Sequence, residues 1–188
     1  MKKVRSVYHK PLGERGFGRY IVGYTWFLGL FYNWKALKYN YSHEELWFPW
    51  DDKGEIDSWS FNGKPCGQCF SSTTRGKYNG VRFAPASEVI GKHPERWDYI
   101  EFEVEDEDYK RLVAYAYTQI GKKYDWRGVA LGFISPVDFE DTDKWYCSEI
   151  CCWLKWLAYV IKDWEDRISP RRSAMIMAKK YHEPKGLA

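Results

Sequence analysis

Hydrophobic and polar positions along the chain follow two periods. Short runs rich in β-branched and aromatic residues occur at 41–48, 58–61, 68–72, 81–84 and 97–104. Turn signals separate them, at 49–54, at Asn62-Gly63 and at Asn79-Gly80, so these runs predict an antiparallel meander. A helical period governs other stretches. Residues 26–37 have helical spacing and close at Asn40 or Ser42. A second helix, capped by Asp106 or Asp108, carries the stripe Tyr109, Leu112, Val113, Ala116, Tyr117 and Ile120 and stops at Gly121. A third presents Ile150, Leu154, Leu157, Ala158 and Ile161 on one face and Lys155, Lys162 and Asp163 on another. Ser169-Pro170 starts a last helix at 172–180, and 122–143 reads as irregular. Residues 1–19, basic and glycine-containing, read as an N-terminal arm, leaving 20–188 as one domain. The predicted class is α+β, with helices packed on an antiparallel sheet.

Composition agrees with a single domain: 188 residues, 45% hydrophobic and 29% charged, give enough chain to bury a core. Aromatics make up 19%, with eleven Trp and fifteen Tyr, and are expected mostly in the core and along cleft rims. The net charge of +3 is small, and basic residues are dispersed along the sequence, which argues against a nucleic-acid partner. Met1-Lys2-Lys3 is followed by Arg5, His9, Lys10, Glu14, Arg15 and Arg19 rather than an apolar segment, unlike a secretory signal. A cytoplasmic protein is expected, or one delivered by another route, as in a phage particle. The apolar run 20–34 is shorter than the roughly twenty residues that span a bilayer; interfacial membrane contact is its minor reading.

The candidate chemistry starts at Cys147, in Trp145-Tyr146-Cys147-Ser148-Glu149, where a turn-prone stretch gives way to a helix. The helix dipole and unpaired amides of a first turn favour thiolate over thiol. A cysteine nucleophile needs a base, and imidazole serves near neutral pH. His9 and His182 lie in tails and His93 in a turn, which leaves His43, within a strand. Glu45 projects from the same strand face as His43, whereas Glu44 points the other way. Glu45 can therefore orient the imidazole, unless both glutamates face solvent at a sheet edge.

These residues resemble the circularly permuted branch of the papain-like, NlpC-type cysteine hydrolases, which includes the YiiX-like proteins and, more distantly, lecithin:retinol acyltransferase-like enzymes. The matching stretches are Tyr41-Ser42-His43-Glu44-Glu45-Leu46, Gly80-Val81-Arg82-Phe83, Gly121-Lys122-Lys123-Tyr124-Asp125-Trp126, Trp145-Tyr146-Cys147-Ser148-Glu149 and Ile168-Ser169-Pro170. The resemblance implies a permuted papain-like fold, Cys147 as nucleophile, His43 as general base, and Tyr124 against the site. Ser148 and Trp47 complete the expected substrate-contacting set. Many YiiX-like relatives carry an acid before the Gly-Val-Arg motif, where this chain has Phe70-Ser71-Ser72. Either Ser71 orients the imidazole alone, or Glu45 takes the electrostatic part.

The implied activity is hydrolysis of an amide bond, in a peptide or a peptidoglycan stem peptide, with no cofactor. Two alternatives stay open: a papain-fold binding module without catalysis, and an acyltransferase acting on lipid. A zinc site built from Cys66, Cys69, Cys151 and Cys152 has CxxC spacing in its first half. Its second half is adjacent on a helix, pointing about 100° apart, so metal is not expected.

Overall fold

Residues 2–9 of the expected arm form a strand, and 13–19 lie outside the described residues. β1 (Lys2–His9) is a central strand of the sheet. The computed structural model describes residues 1–12, 38–48, 60–61, 64–131, 143–162 and 168–187, with isolated positions 23 and 27. The helix expected at 26–37, the turn at 49–54 and the apolar run at 20–34 lie outside the described residues, apart from those isolated positions. Arg5, one of the basic residues that suggested an arm, is accommodated within the sheet. The Arg5 guanidinium lies over the rings of Tyr99 (4.1 Å) and Trp47 (5.1 Å), and its Nε donates to Glu101 at 3.0 Å. Aromatic faces and a carboxylate offset the cost of burying that cation.

Next come β2 (His43–Phe48), a two-residue pair β3 (Ser60–Phe61) and β4 (Lys64–Pro65), β5 (Gln68–Thr73) and β6 (Gly80–Pro85). The short helix α1 (Ala86–Val89) and a single 3-10 turn (Pro94–Arg96) lead into β7 (Trp97–Val104). Then follow α2 (Asp106–Gln119), β8 (Lys123–Tyr124), α3 (Trp126–Leu131), β9 (Lys144–Trp145), α4 (Cys147–Leu157), α5 (Pro170–Lys180) and β10 (Lys185–Gly186). The six-stranded sheet has the order β10-β7-β1-β2-β5-β6, with antiparallel neighbours throughout. The expected meander therefore holds for β2, β5 and β6, while the unexpected strand β1 lies beside β2 and β7 crosses back to the far side of β1. The fold is α+β, an antiparallel sheet packed against helices.

Strand alternation gives the sheet two different faces. On one, Val4, Tyr8, Leu46, Phe48, Phe70, Ile100 and Phe102 pack against Leu112 and Ala116 of α2, Ile150 and Leu154 of α4, and Ala174 and Met177 of α5. On the other, Val7, Trp47, Cys69 and Trp97 pack with Ala86 and Ile90. The expected stripe of α2 is narrower than its sequence suggested: Tyr117 and Ile120 are exposed, and Gln119 is buried instead. The Gln119 carbonyl accepts from the Trp145 indole N–H at 3.0 Å, which explains the exchange.

The described part of the stretch expected to be irregular contains regular elements. β8 and β9 form a parallel pair around α3, and β6 holds the start of this region through Val81 N–H to Lys122 O (2.8 Å) and Gly121 N–H to Val81 O (3.0 Å). Gly80 makes that approach possible. Its φ is +114°, and a Cβ there would lie 2.1 Å from the Lys122 carbonyl oxygen, a position only glycine fits. The last helix starts as read: Ser169 caps α5 by accepting from Arg172 N–H at 3.2 Å, and Pro170 occupies its first turn. Among the described residues, no helix is long and apolar enough to cross a membrane.

Candidate active site

Cys147 is the first residue of α4, as its sequence context predicted, with Tyr146 as the N-cap. The Glu149 carboxylate accepts the Tyr146 N–H at 3.2 Å, closing the reciprocal capping arrangement that fixes where a helix begins. Cys147, Cys151 and Lys155 are spaced by four and share one stripe, and all three meet the same residue of β2. Cys151 Sγ lies 3.8 Å from the Glu44 carbonyl oxygen, and Lys155 Nζ lies 2.6 Å from Glu44 Oε1. The backbone amides of Glu44 and Ser148 favour the thiolate of Cys147. An amide acts this way only at hydrogen-bonding range, so the sulfur sits against the residue that follows His43 in the chain.

Lys155, read as a polar-face residue, is instead 1% exposed. It and Glu44 form a buried ion pair, completed by Ser6 Oγ to Glu44 Oε1 (2.8 Å) and by Ser173 Oγ, 2.6 Å from Lys155 Nζ and 3.0 Å from Glu44 Oε1. Burial opposes the ammonium charge, but the Glu44 carboxylate outweighs it and holds Lys155 above its usual value. Periodicity alone could not show this, because the partner that makes a buried lysine tolerable comes from a strand more than a hundred residues earlier.

On the opposite face, His43 and Glu45 meet as the alternation predicted: His43 Nε2 lies 2.8 Å from Glu45 Oε1. Neither is solvent-facing; both are buried. Arg82, two strands away on β6, grips the carboxylate with two bonds of 2.6 Å, Nη1 to Oε2 and Nη2 to Oε1. Burial works against the Glu45 charge, but Arg82 and the His43 contact prevail, and its carboxyl is held down to about 2. His43 moves below its ordinary value because burial outweighs Glu45. An ionised carboxylate can only accept, so Nε2 carries the hydrogen and Nδ1 keeps the basic lone pair. Nδ1 has no hydrogen-bond partner among the described residues.

Ser71 does not orient His43. Its hydroxyl donates to the Glu44 carbonyl at 2.7 Å. Its register partner is Arg82, and its hydroxyl also lies 4.0 Å from Cys151 Sγ. The orienting acid is thus Glu45, with Arg82 as its counterion. The substrate-contacting set also divides. Tyr124 is buried and within electrostatic reach of Cys147, which together with burial holds its hydroxyl well above the usual phenol range. Ser148 is fully buried, its hydroxyl donated to the Ile168 carbonyl at 2.5 Å. Trp47 belongs to the second core and donates its indole N–H to Cys66 O at 2.7 Å. Neither is placed to touch a substrate.

Two further features were missed from sequence. His9, read as tail decoration, is buried at the end of β1, opposite His43 in register. Its Nδ1 lies 3.2 Å from Ser42 Oγ, and its ring meets Trp97 edge-on at 4.9 Å. Arg75, beyond the end of β5, donates to Ser42 Oγ at 3.3 Å and acts electrostatically on Cys147, Tyr124, His43 and His9 together. A lone arginine in a turn carries no sequence signal of this.

The thiol itself departs from expectation. Burial pushes Cys147 up to about 12, against the lowering by the Glu44 amide. Cys147 therefore rests as a neutral thiol, and His43 as a neutral imidazole. No hydrogen bond joins Cys147 to His43 among the described residues. None of the five cysteines is in a disulfide among the described residues; Cys69 lies in the second core and Cys151 and Cys152 in the first.

Burial of this polar cluster also sets an acid limit on the fold. Burial, then Arg75, lowers His9 to about 2. An imidazole that titrates lower folded than unfolded lets the unfolded chain take up more protons, so stability falls as pH drops below about 6.5. The slope is about 1.4 kcal/mol per pH unit for each such group. Loss of Glu45 ionisation adds to it between its ordinary value and about 2. Thermal melts from pH 7 to 4 are expected to show a steady decline that His9→Gln flattens. An unchanged slope in that variant would contradict the assignment.

The sequence matches no protein-family model, and no curated protein and no solved structure matches the chain.

Proposed function

We propose that the chain is a thiol-dependent hydrolase of amide bonds, acting on a peptide or a peptidoglycan stem peptide, with the permuted papain-like arrangement that its motifs resemble. One observation carries the reading. An imidazole with its Nε2 hydrogen committed to an ionised carboxylate, and its Nδ1 unengaged, sits one residue before the amide that meets the Cys147 sulfur.

In this mechanism His43 Nδ1 takes the thiol proton as Cys147 Sγ attacks the carbonyl carbon, and later delivers it to the leaving amine. Water then resolves the acyl-enzyme with His43 as base. Glu45 fixes the tautomer and stabilises the imidazolium, while Arg82 keeps Glu45 ionised. Because the thiol rests protonated, proton transfer accompanies attack instead of preceding it. Backbone amides in the first turn of α4 face the developing oxyanion, and Tyr124, which stays protonated, supplies a hydroxyl donor beside them.

Loss of one oxyanion donor costs about 10²–10³ in kcat at its largest. Tyr124→Phe is accordingly expected to lower kcat by at least about tenfold with KM little changed. Steady-state kinetics check this, and an unaffected kcat would remove Tyr124 from the mechanism.

The second reading, a binding module without turnover, is favoured by the same buried thiol at about 12. Incubation with a fluorogenic peptide panel and isolated cell-wall muropeptides separates the two. Cleavage lost in Cys147→Ala supports the hydrolase; saturable binding without cleavage supports the module.

A further inference from the structure

Charges that are dispersed along the sequence gather in one place in the fold. A pocket of about 470 Å³ opens on the His43 face of the sheet, away from α4. Its floor carries His9 and His43 against Trp97, whose ring both imidazoles meet edge-on. Arg75 and Lys77 come from the turn after β5, Arg82 from β6, and Lys92 and Arg96 from the segment between α1 and β7. Five full cations thus line the pocket against two carboxylates, Glu45 and Glu88. That excess equals the net charge of the whole chain, +3.

The carboxylates present do not neutralise the pocket. Glu45 is spent on Arg82, and Glu88 lies 3.3 Å from Lys77. Arg75 and Lys92 have no carboxylate partner among the described residues. The Arg96 Nε lies 3.9 Å from Glu95, which His93 also approaches at 3.2 Å. Like charges converging on a concave, partly enclosed surface are unfavourable in the empty protein and focus the field on a counter-ion. An arginine that stays charged and half in the wall offers forked donors to an anionic group.

We propose that this pocket is an anion-binding site for a small ligand bearing two or more clustered carboxylate or phosphate groups. Arg75 is its inner anchor, and Lys77 and Lys92 close its two rims. Cys147 is not part of the pocket lining, so the inference stands whether or not the chain cleaves amides. Where both are true, an occupant places negative charge beside His43 and Arg75.

The test is isothermal titration calorimetry of the full chain with triglutamate, inorganic pyrophosphate and, as a control, trilysine, in 50 and 500 mM NaCl. Both rim lysines are exposed, so Lys77→Glu/Lys92→Glu leaves the fold in place, which a thermal melt verifies. One-to-one binding of triglutamate or pyrophosphate, weakened at least about tenfold by the double variant and by high salt, is the expected result. Preference for triglutamate identifies carboxylates as the source, and preference for pyrophosphate identifies phosphate. Absence of binding by both anions, equal affinity in the folded double variant, or equal binding of trilysine would each overturn the proposal.

Discussion

Cys147→Ala is expected to abolish amide hydrolysis, by roughly 10⁴-fold or more, while the protein stays folded. No other thiol can stand in. Cys151 and Cys152 are enclosed in the helix-side core and Cys69 in the opposite one, while Cys66 is half-buried beside Trp47. The structural cost of the change is small, because one buried sulfur is removed from the first turn of a helix held by its own capping pair. Glu45→Gln offers the instructive comparison. It keeps the shape but removes the charge that fixes His43, and an equivalent change in a serine triad costs about 10⁴-fold. Here it also strands the buried Arg82 cation, so its melt must accompany its rate. Turnover of a cleaved substrate by Cys147→Ala at the wild-type rate would place the chemistry elsewhere.

Lys155→Met is expected to destabilise the fold by about 3–5 kcal/mol, because it leaves the Glu44 carboxylate buried without its cation. Both partners are essentially inaccessible, 1% and 0% exposed at the side chain, so solvent cannot screen the loss. Glu44→Leu with Lys155→Met is expected to recover most of that stability, since a buried pair replaced by apolar groups of similar size is close to neutral. The two variants then separate stability from function. Glu44 ties the Cys147 helix to the strand that carries His43, so the stable double variant is expected to turn over more slowly than wild type. Urea unfolding of the three proteins measures the first effect. A single variant as stable as wild type would show that the ion pair does not hold this junction.

The helices were legible where capping chemistry marked their ends. Ser169-Pro170 and the turn-prone stretch before Cys147 marked the starts of α5 and α4 where the structure has them, and the Tyr146-to-Glu149 capping that fixes α4 came only from the structure. Alternation in β2 placed His43 and Glu45 on one face, and their hydrogen bond follows from that. What pattern reading lost was every feature set by pairing across the sheet. β1 looked like a basic arm because its arginine is satisfied by rings and a carboxylate from β7 and β2. Lys155 looked solvent-facing because Glu44 lies far away in sequence. Arg82 as the counterion of Glu45 depends on the register of β2, β5 and β6. Charge dispersion in the sequence likewise said nothing of the basic pocket, whose cations come from separate turns and strands.

The ¹⁵N spectrum of the His43 imidazole, recorded in wild type and in Cys147→Ala, tests the central claim most directly, because it needs no substrate. A neutral ring at pH 7 with the hydrogen on Nε2, and an Nδ1 resonance that shifts when the sulfur is removed, are the expected results. An Nδ1–H tautomer, or His43 signals indifferent to the loss of Cys147, would contradict the pairing on which the proposed chemistry rests.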